Sequence, residues 1–268
     1  MRTALIGHTG FVGSNLAAAY TFTDSFNTSN IADLRGRSYD LVVSAASRAD
    51  SHRINQHATE DLADIDAYLD VLTSVRTSRL VLISTVCVYP GGITPDETSE
   101  LSAEGLTPYG ANRLHMEQVL ARHFDTLALR LPQLYGRNLK KGIVFDLLND
   151  YRVEHIQPEV SFQYYDLGRL WSDIGVALSA GLSALNLATP PLSNARVAAE
   201  VFRVDLPPPP GAAQPPGAGS YTRDMRTVHA APFGGPPGYL MDQAAELDAL
   251  RAFVRRWRTV AASSDSPR

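Results

Sequence analysis

The sequence has little cysteine, no long apolar run and no large excess of charge. Cys87 is the single cysteine among 268 residues, which excludes an internal disulfide and is typical of a reducing compartment. No segment approaches the roughly 18 consecutive apolar residues that suggest a membrane helix. The net charge of −4 gives no reason to expect nucleic acid or an anionic membrane as a partner.

The amino terminus also lacks the features of a secretory signal. Met1 and Arg2 lead directly into a short apolar run and a glycine turn, with no small-residue cleavage site after it. This start is typical of the first strand of a cytoplasmic protein. A chain of 268 residues, 44% hydrophobic and 19% charged, suits one large domain with a small appendage.

Apolar runs and helical periodicities alternate along the chain. Short apolar runs predict strands at residues 3–6, 41–43, 80–83, 127–131 and 184–188. Apolar residues at helical spacing predict helices at about residues 11–20, 60–75, 109–123, 167–178 and 242–258. Fully apolar strands belong in a parallel sheet covered on both faces. The order therefore predicts an α/β fold, a Rossmann-type doubly wound parallel sheet.

The composition changes after residue 188. Two clusters rich in proline and glycine, at 206–217 and 233–238, cannot continue a helix or pair inside a sheet. We expect a small substrate-binding lobe made of residues 138–161 and 191–268. The nucleotide-binding domain then comprises residues 1–137 and 162–190.

A glycine turn follows the first predicted strand. Gly7, Gly10 and Gly13 have the spacing G-x-x-G-x-x-G between a strand and a helix. Glycine permits positive φ and close backbone approach to a pyrophosphate, and the helix amino terminus offers N–H donors and a positive dipole end. The position of this turn, between strand and helix, favours dinucleotide binding over an ordinary tight turn.

A tyrosine and a cation lie one helical turn apart. Tyr109 and Arg113 are related by i, i+4 and share one helix face. The pKa of a phenol is near ~10, and a fixed cation nearby lowers it toward a useful range for acid/base chemistry. Alone, such a pair is more often a surface stacking contact.

Hydroxyl-bearing residues end the strand that precedes this helix. Thr85 lies where a parallel strand meets the ligand crevice of such folds, and its hydroxyl could bind a reacting carbonyl oxygen. Without the other two signals, a simple strand-end cap would be the preferred interpretation.

Together these motifs resemble the extended short-chain dehydrogenase/reductase family, which includes nucleotide-sugar epimerases, dehydratases and keto-reductases. The similarity rests on the glycine turn, an Ala45-Ala46 strand end, I-S-T-V-C-V-Y at 83–89 and Y-G-A-N-R at 109–113. The segment L-R-L-P-Q-L-Y-G at 129–136 is similar to a further family motif. The matches cover about the first half of the chain.

The resemblance implies roles for these residues. Tyr109 would be the catalytic acid/base, Thr85 would hold the substrate oxygen, and Arg113 would replace the lysine that binds the nicotinamide ribose. Hydride would pass between a sugar carbon and the cofactor. The implied cofactor-binding residues are Gly7, Thr9, Gly10, Phe11, Val12, Gly13, Ala45, Ala46, Arg113 and Pro132.

Two departures from the family pattern concern the cofactor. An arginine stays protonated and cannot relay a proton as a lysine can. At the end of the second strand the chain reads Phe26-Asn27-Thr28-Ser29-Asn30, with no acid for the adenine ribose. The cofactor is therefore NAD or NADP, with a slight preference for NADP. No arginine follows the end of this strand directly to bind a 2′-phosphate, and the nearest ones are Arg35 and Arg37.

Two further departures concern the substrate. Val86 and Cys87 stand where dehydratases of the family carry Asp-Glu, so dehydration is disfavoured. Gln163 replaces an arginine that grips a nucleotide phosphate, and Arg226 or the Lys140-Lys141 pair could supply that charge. The predicted substrate-binding residues are Thr85, Cys87, Gln163 and Arg226, and no metal site is predicted.

The sequence thus predicts an NAD(P)-dependent enzyme that acts on an activated or modified sugar by keto-reduction or epimerisation. The alternative is a non-catalytic NAD(P)-binding sensor or regulatory protein of the same fold, which Arg113 and Gln163 favour and the Thr85–Tyr109 pair opposes. The resemblance also implies a homodimer, formed through the helix that bears Tyr109.

Overall fold

A six-stranded parallel sheet forms the centre of the protein, in a computed structural model that describes residues 1–206 and 224–264. Its strand order is β2-β1-β3-β4-β5-β9, and every neighbouring pair is parallel. This order, with a crossover on each side of β1, confirms the predicted Rossmann-type fold. The strands are β1 Thr3–Ile6, β2 Asp24–Phe26, β3 Ser38–Ser44, β4 Arg76–Thr85, β5 Thr126–Leu131 and β9 Ala184–Asn186.

Consecutive residues of a central strand pack into two different hydrophobic clusters, one on each face of the sheet. In β4, Val81 and Ile83 pack into the cluster on one face, while Leu80 and Leu82 pack into the cluster on the other. All four are buried. The apolar run in the sequence exists because side chains alternate across a sheet whose two faces are both covered.

Helices cover both faces of the sheet. On one face α1 and α6 contribute Leu16, Leu170 and Ile174 to the core, and on the other α3 and α4 contribute Ile65 and Met116. The helices are α1 Phe11–Ala19, α2 Ser51–Gln56, α3 Ala58–Leu72, α4 Pro108–His123, α5 Ile143–Leu148, α6 Leu170–Ser179, α7 Asn194–Val197 and α8 Gln243–Ser264.

A further cluster of buried residues joins the later part of the chain to the end of the sheet. It combines Tyr135 and Val144 with Val201 and with Leu250 and Phe253 of α8. Two small ladders border it, formed by the parallel pair β6–β8 and the antiparallel pair β7–β10. Their strands are β6 Gln133–Tyr135, β7 Ser161–Phe162, β8 Tyr164–Asp166 and β10 Leu192–Ser193.

The predicted elements differ from the observed ones mainly at their ends. The last helix continues to Ser264 instead of residue 258, and the strand predicted at 184–188 ends at Asn186. β2 is short and has little apolar pattern because it is the edge strand of the sheet. The proline-rich segment 206–217 lies outside the described residues except for Leu206.

None of the helices in the described ranges combines the length and apolar composition that crossing a bilayer requires. Within the same ranges, no group of three or more His, Cys, Asp or Glu side chains is placed to hold a metal ion.

Candidate active site

The carboxyl ends of β1, β3, β4 and β5 meet at one edge of the sheet. The register aligns Ile6 with Ser44, and Thr85 with Leu131. The turns that follow these strands carry the glycines, Ala45-Ala46, Thr85 and Pro132. Parallel packing thus brings together segments that are far apart in sequence, at the edge where open α/β sheets bind ligands.

Gly7 and Gly13 are required by the fold itself. Gly7 has φ +84° and a Cβ there would lie 2.4 Å from the Ala45 carbonyl oxygen, while a Cβ at Gly13 would lie 2.1 Å from the Gly7 oxygen. Neither distance is compatible with a side chain. These two glycines therefore close the turn against β3 and against α1.

Gly10 has a different environment. Its φ of −76° suits any residue, it is exposed, and the nearest atom to a Cβ would be the Gly7 oxygen at 3.3 Å. No side chain caps the α1 amino terminus that follows, so the first-turn N–H groups are available to an anion. The space above Gly10 thus fits the predicted pyrophosphate site.

Most of the other residues predicted to bind cofactor lie next to this turn, whereas Pro132 lies farther along the same edge of the sheet. Thr9 is exposed beside Gly10, and Phe11 and Val12 pack their side chains into the core while their backbone begins α1. Ala45 donates its N–H to the Ile6 oxygen at 2.9 Å, which places the Ala45-Ala46 segment against the glycine turn. The half-buried Pro132 separates β5 from β6.

The end of β2 lies next to the glycine turn. The Phe26 oxygen accepts the Gly7 N–H at 2.7 Å, and Asn27 and Asn30 form a turn closed by the Asn30 side chain. Arg37 instead pairs with Asp24, the first residue of β2, at 3.6 Å.

Arg37 directly precedes β3, and Arg35 pairs with Asp70 near the carboxyl end of α3. Both arginines therefore lie toward the amino-end edge of the sheet. Neither of the two nearest arginines is placed to bind a 2′-phosphate at the crevice.

Tyr109 is held at the start of α4. Thr107 caps this helix by accepting the Gly110 N–H at 3.3 Å, and Asn55 accepts the Tyr109 N–H at 3.0 Å. A Cβ at Gly110 would lie 2.1 Å from the Cys87 oxygen, so only glycine allows α4 to approach the turn after β4 this closely. This approach brings the Tyr109 side chain to Thr85.

Thr85 is the last residue of β4, and Cys87 belongs to the turn that follows it. The Thr85 hydroxyl accepts the Cys87 N–H at 3.2 Å, so Thr85 also caps the short 3-10 turn Val86–Val88. Both side chains are half-buried. The Thr85 side chain also contacts the Tyr109 hydroxyl and lowers its pKa.

Burial dominates the acidity of Tyr109. Loss of solvent raises the pKa of the Tyr109 hydroxyl above its usual value, whereas the charge of Arg113 and contacts with Thr85 and Arg113 lower it only in part. Cys87 adds a small raising effect. The net direction is opposite to the lowering expected from the sequence, because that expectation did not include burial.

Arg113 is almost completely buried and faces a carboxylate. Its guanidinium lies 4.7 Å from the centre of the Tyr109 ring, as i, i+4 spacing predicts. Two of its nitrogens donate to the two oxygens of Asp61 at 2.8 and 3.1 Å, and one of them also donates to the Arg48 oxygen at 2.7 Å. Asp61 and the Arg48 backbone thus take three of the five N–H donors of the guanidinium, whereas the buried Nε has no hydrogen-bond partner among the described residues.

Asp61 is the residue that the sequence analysis missed. The helical spacing could have indicated its burial, because Asp61 lies one turn before Ile65 and two turns before Leu69 on the buried face of α3. Burial opposes its ionisation, yet hydrogen bonds from Arg113 and Asn112 keep the pKa of the Asp61 carboxyl below its usual value.

A second buried ion pair fixes α4 to the sheet. Glu117 of α4 binds Arg130 of β5 at 2.9 Å and accepts the hydroxyl of Ser84 in β4. Arg130 also donates to the Tyr89 hydroxyl at 2.6 Å. Because Ser84 directly precedes Thr85, this network sets the position of α4, and hence of Tyr109, relative to Thr85.

The predicted phosphate ligands Gln163 and Arg226 have internal partners. The Gln163 amide is buried and exchanges hydrogen bonds with the Met225 backbone at 2.8 and 2.9 Å. Arg226 pairs with Asp224 and lies 4.4 Å from the centre of the Tyr239 ring. Both side chains brace the segment after residue 223, and the structure does not bring them to Tyr109.

A cavity of about 430 Å³ lies in the part of the chain between β6 and α7. Lys141 is at its edge and donates from Nζ to the Ala49 oxygen at 3.0 Å, which connects it to the turn after β3. The cavity is lined by cationic, imidazole, aromatic and carboxyl side chains. Those that matter for ligand chemistry are Lys141, Asp146, Tyr151, Arg152, His155 and Phe162.

Comparison with known proteins supplies the family. The sequence model of the NAD dependent epimerase/dehydratase family matches residues 19–162. This range is more than half of the chain and contains Thr85, Tyr109 and Arg113. No curated protein sequence matches significantly.

Solved structures share the fold at low sequence identity. The dTDP-4-dehydrorhamnose reductase of Clostridium acetobutylicum is 13% identical, with a TM-score of 0.74 over 96% of this chain and 100% of the other. The UDP-glucose 4-epimerase of Thermotoga maritima, solved with UDP-glucose, is 15% identical, with a TM-score of 0.71 over 97% and 100%. The dTDP-4-dehydrorhamnose reductase of Bacillus anthracis, solved with NADP, is 15% identical, with a TM-score of 0.72 over 95% and 99%.

Proposed function

The chain belongs to the NAD dependent epimerase/dehydratase family, and from this premise we propose that it is an NAD(P)-dependent oxidoreductase or epimerase that acts on a nucleotide sugar. Tyr109 is the acid/base group of this proposal, and Thr85 holds the reacting oxygen. The observation that carries it is the convergence of Thr85, Tyr109 and the glycine turn at one edge of the sheet.

The glycine turn fits a dinucleotide. Gly10 is exposed beside a helix terminus that no side chain caps, and Gly7 and Gly13 hold the backbone in the required shape. We assign the pyrophosphate to the N–H groups at the start of α1, with Ala45 and Ala46 alongside the cofactor. When bound, the nicotinamide supplies or accepts hydride.

The chain's own part in the reaction is proton transfer at one oxygen. The Tyr109 hydroxyl donates a proton to, or accepts one from, the substrate oxygen, while the Thr85 hydroxyl orients that oxygen. Both groups are positioned by the packing of α4 against the turn after β4. Dehydration is the less favoured chemistry, because Val86 and Cys87 provide no carboxyl group beside Thr85.

The cavity near Lys141 suits the nucleotide part of the substrate. Its basic side chains, Lys141 and Arg152, complement a diphosphate, and Tyr151 and Phe162 offer aromatic surface to a base. The Lys141–Ala49 hydrogen bond joins the cavity to the crevice. The UDP-glucose bound by the structurally similar Thermotoga maritima epimerase makes this ligand class the first to test.

Cofactor choice is proposed to be open between NAD and NADP. The end of β2 carries amides and hydroxyls instead of a carboxylate, which removes repulsion of a 2′-phosphate. Arg35 and Arg37 do not add the positive charge that would favour it. Calorimetric titration with NAD⁺, NADH, NADP⁺ and NADPH, on protein freed of carried cofactor, decides between them.

Tyr109→Phe tests the catalytic assignment. We expect turnover of a nucleotide keto-sugar to fall by about 100-fold or more, since positioned acid/base groups contribute that much, while cofactor affinity changes by only a few-fold. Tyr39→Phe is the matched control, because Tyr39 bonds Asp24 far from the crevice.

Unchanged turnover in a folded Tyr109→Phe variant would remove Tyr109 from the mechanism. Cofactor binding without turnover of any keto-sugar or nucleotide sugar would instead favour the non-catalytic sensor. That alternative has one specific observation in its support, the burial of Arg113 against Asp61.

A further inference from the structure

The Asp61–Arg113 pair occupies the place at which a free cation was expected. Both side chains are nearly inaccessible, with 2% and 6% exposure for Arg113 and Asp61. The carboxylate receives three hydrogen bonds within 3.1 Å, two from Arg113 and one from Asn112. The pair is a bidentate contact with little room for rearrangement.

This arrangement changes the electrostatics at the tyrosine. A lone cation beside a phenol stabilises the phenolate, but a cation held against a carboxylate forms a pair with no net charge. The Arg113 guanidinium lies over the Tyr109 ring at 4.7 Å, and its negative partner is attached on the α3 side.

We propose that Asp61 is a positioning residue, which holds and neutralises Arg113 so that Tyr109 keeps its proton and acts as the proton donor of a carbonyl reduction. The inference rests on the proposed function and narrows it from oxidoreductase or epimerase to a reductase. Asp61 itself touches neither substrate nor cofactor.

The surroundings of Tyr109 agree with this role. The charged or titratable groups around it are Arg113 on its own helix, Asp61 on α3, Arg48 beyond Asp61, and Cys87 on the turn after β4. Burial is the largest influence and opposes ionisation. The charge of Arg113 is the main influence that lowers the pKa of Tyr109, and Asp61 is the counter-charge of Arg113.

The proton balance favours reduction. As hydride from a reduced nicotinamide reaches the carbonyl carbon, the carbonyl oxygen takes the Tyr109 proton and an alcohol forms. The resulting phenolate recovers its proton from solvent. Oxidation of an alcohol would need the phenolate beforehand, and the neutral Asp61–Arg113 pair does little to stabilise it.

The test is a spectroscopic titration of Tyr109 that requires neither substrate nor cofactor. Tyrosinate absorbance is recorded against pH for the wild type and for Tyr109→Phe, and their difference reports Tyr109 alone. We expect no ionisation of Tyr109 below about pH 10 in the wild type, since ~10 is the usual phenol value and burial raises it.

Variants that remove one charge of the pair should shift the Tyr109 titration in opposite directions. Asp61→Asn leaves Arg113 uncompensated and should shift the Tyr109 titration down by about 1 to 3 pH units. Arg113→Gln leaves Asp61 uncompensated and should shift it up. The double variant Asp61→Asn/Arg113→Gln carries neither charge, and its Tyr109 titration should lie between those of the two single variants.

Asp66→Asn is the matched control on the same helix, because Asp66 is exposed and pairs with His115. It should leave the Tyr109 titration unchanged, whereas a merely structural role of Asp61 would not produce the opposite signs. Each variant is titrated against its own Tyr109→Phe partner and checked by circular dichroism.

Two results would overturn the inference. One is ionisation of wild-type Tyr109 at or below about pH 9, which is about a unit under the usual pKa of a phenol. This measurement does not depend on whether the charge variants fold. The other is an unshifted titration in folded Asp61→Asn. Failure to bind any nicotinamide cofactor would instead remove the proposed function and leave this titration intact.

Discussion

The three glycines of the turn after β1 have separate physical tasks. Gly7 and Gly13 lack a side chain because the backbone of Ala45 and of Gly7 occupies that volume. At Gly10, φ is ordinary and a Cβ would meet a single atom, the Gly7 oxygen at 3.3 Å. Only at Gly10, therefore, can ligand binding be separated from folding.

Gly10→Val is expected to leave the protein folded and to weaken cofactor binding by at least about tenfold, or 1.4 kcal/mol, because the side chain enters the pyrophosphate site. Calorimetric titration and thermal unfolding measure the two effects. Gly175→Val is the control, since nothing lies within 4 Å of a Cβ at that exposed helix position. Unaltered affinity of Gly10→Val would place the cofactor somewhere other than this turn.

Asp61 shows what residue types alone leave undecided. The helical spacing that predicted α3 also placed Asp61 on its buried stripe, but an acid between apolar residues is usually solvated. Its partner is Arg113, which is distant in sequence and adjacent only after α3 and α4 pack together. The pair could not be predicted because burial and partner both depend on that packing.

At the scale of elements, α4 depends on a buried network that joins it to the sheet. Glu117, Arg130 and Ser84 connect α4, β5 and β4, and both charged side chains are about 5% exposed. An ion pair this buried costs much to break from one side, because the remaining charge is left without a partner.

Glu117→Gln is expected to lower the free energy of unfolding by about 3 to 5 kcal/mol, measured by urea denaturation. The control is Asp70→Asn, which breaks the exposed Arg35–Asp70 pair and should cost no more than about 1 kcal/mol. An equal decrease in the free energy of unfolding of the two variants would contradict the expected difference between the buried and the exposed ion pair.

At the level of the whole molecule, Glu246 of α8 lies beside Tyr164, in the cluster of buried residues that joins the later part of the chain to the sheet. It is completely buried and accepts the Tyr164 N–H at 2.9 Å. Burial raises the pKa of the Glu246 carboxyl to about 8. The folded protein therefore holds this proton in a pH range in which the unfolded chain has released it.

The sign of the resulting pH dependence follows from this raised pKa. The contribution of Glu246 to stability is fully present below its unfolded pKa of about 4.5 and is lost as pH rises toward 8. Since one pKa unit is worth about 1.4 kcal/mol, the loss is on the order of a few kcal/mol.

Glu246→Gln should remove this loss, because the amide oxygen still accepts the Tyr164 N–H and carries no charge. Urea denaturation at pH 5 and pH 8, for the variant and the wild type, measures the difference. Asp248→Asn, on the exposed side of the same helix, should keep the wild-type pH dependence. If the free energy of unfolding of Glu246→Gln fell between pH 5 and pH 8 as much as that of the wild type, other groups would cause the pH dependence.

The proposed homodimer also belongs to this scale and stays a prediction. It follows from the resemblance through the helix that bears Tyr109. The division into a nucleotide-binding domain and a lobe likewise stays a prediction, although the buried cluster around α8 is built mainly from residues assigned to that lobe. Sedimentation analysis of the purified chain would test the dimer.

The fold could be predicted from the sequence alone, and the assignment of Thr85 and Tyr109 to catalysis stays a prediction. Apolar runs and helical spacing depend only on which side chains must leave water, so β1, β3, β4, β5 and the main helices could be predicted. The glycine turn could be recognised by its place between a strand and a helix, whereas Thr85 and Tyr109 were assigned their roles by the resemblance to the family.

Which charges face one another could not be predicted before the chain was folded. The neutralisation of Arg113 by Asp61, the raised pKa of Tyr109, and the internal bonding of Gln163 and Arg226 all arise from contacts between segments remote in sequence. Electrostatic interactions depend on distance and burial, and neither quantity exists until the chain has folded.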